Sequence, residues 1–327
     1  MRSLHRWWFT GLLLQATLSC FLQAQTMFVP EKVVVKASQI NLRSSPQLSS
    51  STIIGQLPSG TILDVLELPN KGALVELNGR WSPWYKLRTE DGRVGYALGD
   101  FLSPALTIQF EEALLDGNLP PLNWYGIYQK GKSSDEIRRI QVRKEPVYSE
   151  AMDETIYVLR TNQPDTAKYI IGTIETMQEG YAGPLGVMEA AGWNSTAEMS
   201  PGVQVPVETG REPALGSAPV SYILAATGCA DWEENAMEIR NYRLRLVEVH
   251  AEDQRVQDLS PWFECEHGHP PTIQLLWYGD LDCDQIPDLL IHDCPYEIGC
   301  RTSLFLSSRA RQNELVRKVG EFFWQGN

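Results

Sequence analysis

The sequence predicts a mainly β protein. It begins with a signal peptide, continues as a small β-barrel, and ends in a larger β-rich domain, sandwich- or barrel-like, with long loops. Three observations carry this prediction. Short runs of β-branched and aromatic residues alternate with polar ones, and turn signals interrupt them at a spacing of about 8–12 residues, which suits barrels and sandwiches rather than helices. The chain is rich in turn formers, with 25 Gly and 20 Pro. No motif repeats at a fixed period, so a propeller or solenoid is not supported.

The first 24 residues read as a secretory signal. Arg2 and Arg6 form a basic start, residues 7–22 an apolar core, and Leu22-Gln23-Ala24 a small-residue cleavage site. Cys20 raises the alternative of a lipid anchor, but Thr17-Leu18-Ser19 fits a lipobox poorly, so removal after Ala24 is the expected processing. No other stretch reaches the ~18 apolar residues of a membrane helix. The expected location is therefore outside the cytoplasm: periplasmic, cell-surface or extracellular. The formal net charge is −13, and the signal carries two of the basic residues and none of the acidic ones. So acidic a chain disfavours nucleic acid and anionic lipid as partners, and suits cations.

Residues 33–103 form the first module. β-branched runs such as Val33-Val34-Val35, Ile53-Ile54 and Thr61-Ile62-Leu63 are separated by Pro58-Ser59-Gly60, Asn78-Gly79 and Asp91-Gly92. Within this module lie Asn41-Leu42-Arg43-Ser44-Ser45-Pro46, Gly55-Gln56-Leu57-Pro58-Ser59-Gly60, Trp84-Tyr85-Lys86-Leu87 and Gly95-Tyr96-Ala97. In this order these motifs resemble the bacterial SH3-like domain. Tyr96 replaces the Trp usual in its closing motif, and residues 78–83 lengthen the hairpin before the Trp strand. The resemblance implies a recognition module for a cell-envelope peptide or glycan, with no chemistry of its own. Trp81, Trp84, Tyr85 and Tyr96 are the candidates for an aromatic ligand groove; packing of the same rings into the barrel core is the competing expectation.

Residues 104–121 read as a linker, broken by Asn118-Leu119-Pro120-Pro121, and residues 122–327 as the second domain. Its strands are expected near 124–128, 139–142, 155–159, 169–172, 219–227, 241–249, 272–278, 286–292, 302–307 and 314–323, with residues 182–218 mostly loop. Between the strands at 272–278 and 286–292 lies the ladder Asp280-Leu281-Asp282-Cys283-Asp284-Gln285-Ile286-Pro287-Asp288. Alternate carboxylates in a chain that wraps an ion converge on one hard cation, and position 7 lends its backbone carbonyl. The expected calcium ligands are Asp280, Asp282, Asp284, Ile286 and Asp288. The stretch resembles the integrin-like (FG-GAP-type) strand–loop–strand calcium motif rather than an EF-hand. It departs from that motif where Cys283 and Gln285 stand in place of glycine, and a side chain in the left-handed conformation costs about 1 kcal/mol. The sequence from residue 273 onward also resembles a family of secreted bacterial β-proteins, with no assigned activity, that join such a loop to an SH3-like domain.

Five of the six cysteines, Cys229, Cys265, Cys283, Cys294 and Cys300, fall in the last third of the chain and read as disulfide candidates for an oxidising compartment. Antiparallel pairing around residues 295–299 would bring Cys294 and Cys300 together, leaving Cys283 to join Cys229 or Cys265. Cys265-Glu266-His267-Gly268-His269 offers zinc-type ligands, but the following Pro270-Pro271 favours a surface loop. Neither an HExxH helix nor a Gly-x-Ser-x-Gly elbow occurs. The sequence therefore points to a non-enzymatic envelope-binding protein, with an envelope hydrolase tethered by its SH3-like module as the alternative.

Overall fold

In a computed structural model of the chain, the structure describes residues 28–67, 74–77, 79–114, 118–130, 134–150, 153–184, 197–207, 220–233, 236–250, 253–263, 272–294 and 299–324. The signal segment 1–24 with Cys20, Asn78, and the Cys265–His269 stretch lie outside them. Every long element among the described residues is a strand; the helices are two single 3-10 turns.

The first module comprises β1 (Lys32–Val35), β2 (Gln39–Arg43), β3 (Ile53–Pro58), β4 (Ile62–Glu67), β5 (Leu74–Leu77), β6 (Arg80–Arg88), β7 (Val94–Leu98) and β8 (Leu102–Pro104). They form one antiparallel sheet in the order β3-β2-β7-β6-β4-β1-β8, with β5 added to β6. The sheet curls around Val33, Val35, Leu42, Leu57, Leu63 and Leu87. This core is small, as expected for a module of this length.

The expected linker is mostly not a linker. Only Ala105 separates β8 from β9 (Leu106–Gln109), which pairs with a strand of the second domain from Leu106↔Thr173 to Gln109↔Ile170. Farther along, Glu112 N–H donates to Leu159 O and Leu159 N–H to Ala113 O, at 2.9 and 3.0 Å. The reason is the apolar alternation at Leu106 and Ile108, which places Ile108 in the second domain's core. The chain thus enters the second domain without a flexible connection.

The second domain continues with β10 (Asn123–Lys130), β11 (Ser134–Ile140), β12 (Val142–Ser149), β13 (Glu154–Thr161), β14 (Tyr169–Thr173), β15 (Gly180–Pro184), β16 (Ala197–Glu198) and β17 (Gln204–Val207). It is completed by β18 (Ser221–Glu233), β19 (Ala236–Val249), β20 (Gln254–Asp258), β21 (Thr272–Gly279), β22 (Asp288–Cys294), β23 (Cys300–Leu306) and β24 (Arg317–Trp324). Three sheets stack: β15-β11-β10-β14-β9, then β16-β21-β22-β23-β24, then β17-β18-β19-β20. The β12–β13 hairpin stands as a two-stranded sheet of its own.

The middle sheet is covered on both faces, and β22 shows why. Leu290 packs with Ile127, Ile171 and Trp277 toward the first sheet. Its neighbours Leu289 and Ile291 pack with Leu224, Leu244 and Leu246 toward the third. A strand buried on both faces is apolar at successive positions, which accounts for the Leu-Leu-Ile run. Each such side chain contributes roughly 1.5–3 kcal/mol when fully buried. A buried polar contact ties the first two sheets together: Asp135 accepts from Lys168 Nζ at 2.8 Å and from Trp277 Nε1 at 3.1 Å.

Candidate metal centre

The aspartate ladder is the connection between β21 and β22, at the edge of the doubly covered sheet. Gly279, just before it, has no room for a side chain: a Cβ there would lie 2.2 Å from Ala182 O and within 2.5 Å of the Trp277 ring. Asp280 N–H then donates to the same Ala182 carbonyl at 2.8 Å. The loop is thereby seated against β15. Pro287 has no N–H for the ladder, and β22 begins at Asp288 rather than at the expected Ile286.

Asp280, Asp282 and Asp288 each offer one carboxylate oxygen, and these three atoms lie within 4.8 Å of one another. Asp280 and Asp288 are fully buried. Asp280 Oδ1 accepts from Asp284 N–H at 3.0 Å and Oδ2 from Gln285 N–H at 3.2 Å. Asp288 Oδ2 accepts from Leu281 N–H at 2.7 Å. Asp282 Oδ2 accepts from Ser308 N–H at 3.3 Å, whereas its Oδ1 is buried with no hydrogen-bond partner among the described residues. A buried carboxylate oxygen without a donor is costly; Asp293 Oδ1 is in the same condition, but there Arg301 lies at the carboxylate's other oxygen.

One of the expected carboxylate ligands is arranged differently. Asp284 stands outside the converging trio; its Oδ1 accepts from Ile286 N–H at 2.8 Å and its Oδ2 lies 2.9 Å from Ser307 Oγ. Ile286 enters the network through that N–H.

Ser307 and Ser308, in the turn after β23, were invisible in the loop's own spacing. Ser307 N–H donates to Asp288 Oδ1 at 2.8 Å, and its hydroxyl lies 3.0 Å from the same oxygen. The one hydroxyl proton is therefore shared between Asp284 and Asp288. The antiparallel pairing of β22 with β23, Leu289 opposite Phe305, delivers these serines to the aspartates.

The electrostatics follow from burial. Desolvation holds the Asp288 carboxyl well above its ordinary range, and the Asp282 charge adds to this; the Ser307 and Leu281 donors only partly oppose it. Desolvation also raises Asp284, helped by the charges of Asp282 and Asp280. The loop thus gathers carboxylates whose ionised forms its N–H and hydroxyl donors do not fully stabilise. Such a set of hard carboxylate oxygens, with no nitrogen or sulfur ligand in it, suits calcium or magnesium rather than zinc.

The two residues that replace glycine take the backbone that glycine would favour, Cys283 with φ 67° and Gln285 with φ 69°. The strain expected from the sequence is therefore present at both positions.

At the other end of β22, Cys294 and Cys300 form a disulfide. His292 lies beside it, with Nε2 3.2 Å from Cys294 Sγ and Nδ1 2.9 Å from Thr302 Oγ1. With both sulfurs in the bond, this cluster is not a thiolate metal site. Cys229 is a free cysteine, so of the two partners expected for Cys283 it is not one; the other, Cys265, lies outside the described residues.

The four aromatic candidates of the first module do not form one groove. Successive residues of β6 face opposite sides. Trp84 is 3% exposed and faces inward, which corrects its assignment to a ligand surface, while Trp81 is 64% exposed. Tyr85 and Tyr96 are half-buried, and burial raises the Tyr85 hydroxyl.

Comparison with known families places the module. The family model described as Bacterial SH3 domain matches residues 38–103, nearly the whole of the eight-stranded sheet. The match ends at β8, so the aspartate loop and the three stacked sheets lie beyond it. No curated protein and no solved structure matches the chain.

Proposed function

We propose that the protein is an exported, non-enzymatic binding protein of the cell envelope. In this reading its bacterial SH3 module recognises a peptidoglycan-type peptide or glycan, and one calcium ion braces the β-domain. The family match supports the recognition role, since modules of this kind bind cell-wall ligands. The observation that carries the brace is the buried, donor-free Asp282 Oδ1 beside the buried carboxylates of Asp280 and Asp288. A cation there would be held by those three aspartates and would balance charge that the loop otherwise leaves exposed to no counterion.

Trp81 is the ring best placed to meet a ligand, being the exposed member of the aromatic set. Co-sedimentation with purified peptidoglycan sacculi tests the recognition role. Wild type is expected to pellet with the sacculi and Trp81→Ala to pellet less; a wild type that stays in the supernatant would refute the envelope-ligand reading. Thermal unfolding in millimolar calcium against chelator tests the brace. Wild type is expected to shift upward and Asp282→Ala to stay put, and equal melting in all four conditions would sink the calcium assignment.

A further inference from the structure

A second site lies where the SH3 module meets the β-domain, and its lining includes none of the four aromatic candidates and none of the four aspartates of the loop. The chain leading into β1, the start of β9, the end of β14 and the β23–β24 turn enclose a cleft of about 230 Å³. Its charge is opposite to that of the molecule. Lys32, Arg309, Arg311, Arg317 and Lys318 line it against only Glu31 and Glu175, in a protein whose formal net charge is −13.

The way these cations are held is informative. Arg311 pairs with Glu31 at 2.9 Å, Arg317 reaches the same carboxylate at 3.4 Å, and Arg309 pairs with Glu175. The Arg317 side chain is 13% exposed, but Glu31 is 68% exposed. A largely desolvated guanidinium is thus paired across the cleft with a solvated carboxylate, whose contribution as an exposed partner is small, and from its other side with Glu314 at a longer 3.7 Å. Lys318 is buried beneath, paired with Glu321 and 5.4 Å from the Phe28 ring centroid. Trp262, Leu106 and Val319 give the cleft an apolar wall.

We propose that this cleft binds the free-carboxylate end of a short peptide. Guanidinium forks match a carboxylate bidentately, and Glu31 shows that a carboxylate fits between Arg311 and Arg317. The incoming carboxylate takes the place of Glu31, whose side chain swings into water. The volume falls below the ~300 Å³ at which sites for drug-sized ligands begin, which fits one or two small residues against the apolar wall. The site needs both modules, since Glu31 and Lys32 belong to one and the arginines to the other.

Calorimetric titration of the full mature chain with N-acetyl-Ala-Ala, its C-terminal amide, and inorganic phosphate tests this directly. The free acid is expected to bind at least about tenfold more tightly than the amide, a factor equivalent to one charge-assisted contact. Arg311→Gln, on a side chain that is 65% exposed, should weaken the acid by about tenfold as well. Glu31→Gln should tighten it, because the competing carboxylate is gone; a purely structural ion pair would give no gain. Equal affinity for acid and amide, no binding of either, or a Glu31→Gln variant that binds no better would overturn the proposal. Phosphate binding tighter than that of the acid would overturn the peptide assignment in favour of a general anion site.

Discussion

The two ends of β22 are fastened by different chemistry. At Asp288 the strand is joined to β21 by a loop in which the Asp280 and Asp288 carboxylates are buried, capped from the neighbouring strand's turn by Ser307 and Ser308. At Cys294 it is joined to β23 by a disulfide across a separation of six residues. Between them, Leu289, Leu290 and Ile291 are buried on alternating faces. A register slip of one residue would exchange those faces, so both ends must be fixed. The contrast lies in what each fastening responds to. The disulfide responds to thiols and reductants; the carboxylate loop responds to protons and, in the proposed reading, to a cation.

The largest expected effect comes from breaking the carboxylate end outright. Asp288→Ala removes the acceptor of Leu281 N–H and Ser307 N–H, leaving two backbone donors without it in a buried site. At roughly 1–3 kcal/mol for each unmet donor, the loss should be about 3–5 kcal/mol in calcium, measured by urea unfolding followed by tryptophan fluorescence. A loss below about 1 kcal/mol would mean that the loop does not hold β22.

Withdrawing the cation should cost less. A calcium ion at a hundred times its dissociation constant adds about 2.7 kcal/mol by mass action. The pH dependence has a definite sign. Burial holds Asp288 and Asp284 above their ordinary carboxylate range in the metal-free fold. The folded state then binds those protons more tightly than the unfolded chain. The resulting stability is present below the unfolded pKa and is lost as pH rises through the folded values. If calcium replaces the protons, the gap between calcium and chelator should be widest at neutral pH and narrow as the pH falls. A gap that widens on acidification would contradict this account.

The same contrast separates what was legible in the sequence from what was not. The aspartate spacing marked the loop, the six-residue separation of Cys294 and Cys300 marked the hairpin base, and the unbroken Leu-Leu-Ile run marked a strand, though not that both its faces are covered. All three are local patterns. Ser307 lies 19 residues beyond Asp288 and meets it only through strand pairing, so no local pattern announces it. Asp284 could not be sorted from the other aspartates, because its partner is that same serine. The β9 strand stayed undecided between helix and strand for a related reason: four residues after a module boundary look like a bridge until their partner, β14, is known. In the SH3 module, family motifs identified the sheet, but only the facing of β6 separates buried Trp84 from exposed Trp81.

Breaking the covalent end should have a somewhat smaller effect. In the chain-entropy account, closing so short a loop is worth about 2 kcal/mol. Cys294→Ser/Cys300→Ser should therefore lower stability by that amount in calcium and in chelator alike. Independence from calcium is the sharper part of this prediction. A double variant that loses its stability only in chelator would show that the two fastenings compensate for each other, rather than acting separately.

The smallest effect sharpens the comparison from the opposite direction, by relieving strain at the carboxylate end. Gln285 sits at φ 69° with its side chain exposed, so the strain of the left-handed backbone is not repaid by packing. Gln285→Gly should stabilise the native loop by about 1 kcal/mol, less the added freedom of glycine in the unfolded chain. Cys283, at φ 67°, carries similar strain, but its half-buried side chain makes the substitution less clean. If the strain is borne to present the carboxylates to a cation, Gln285→Gly should also tighten calcium binding, read by titration at neutral pH. Stabilisation with no change in calcium affinity would place the strain in the backbone alone, and separate the shape of the loop from its charge.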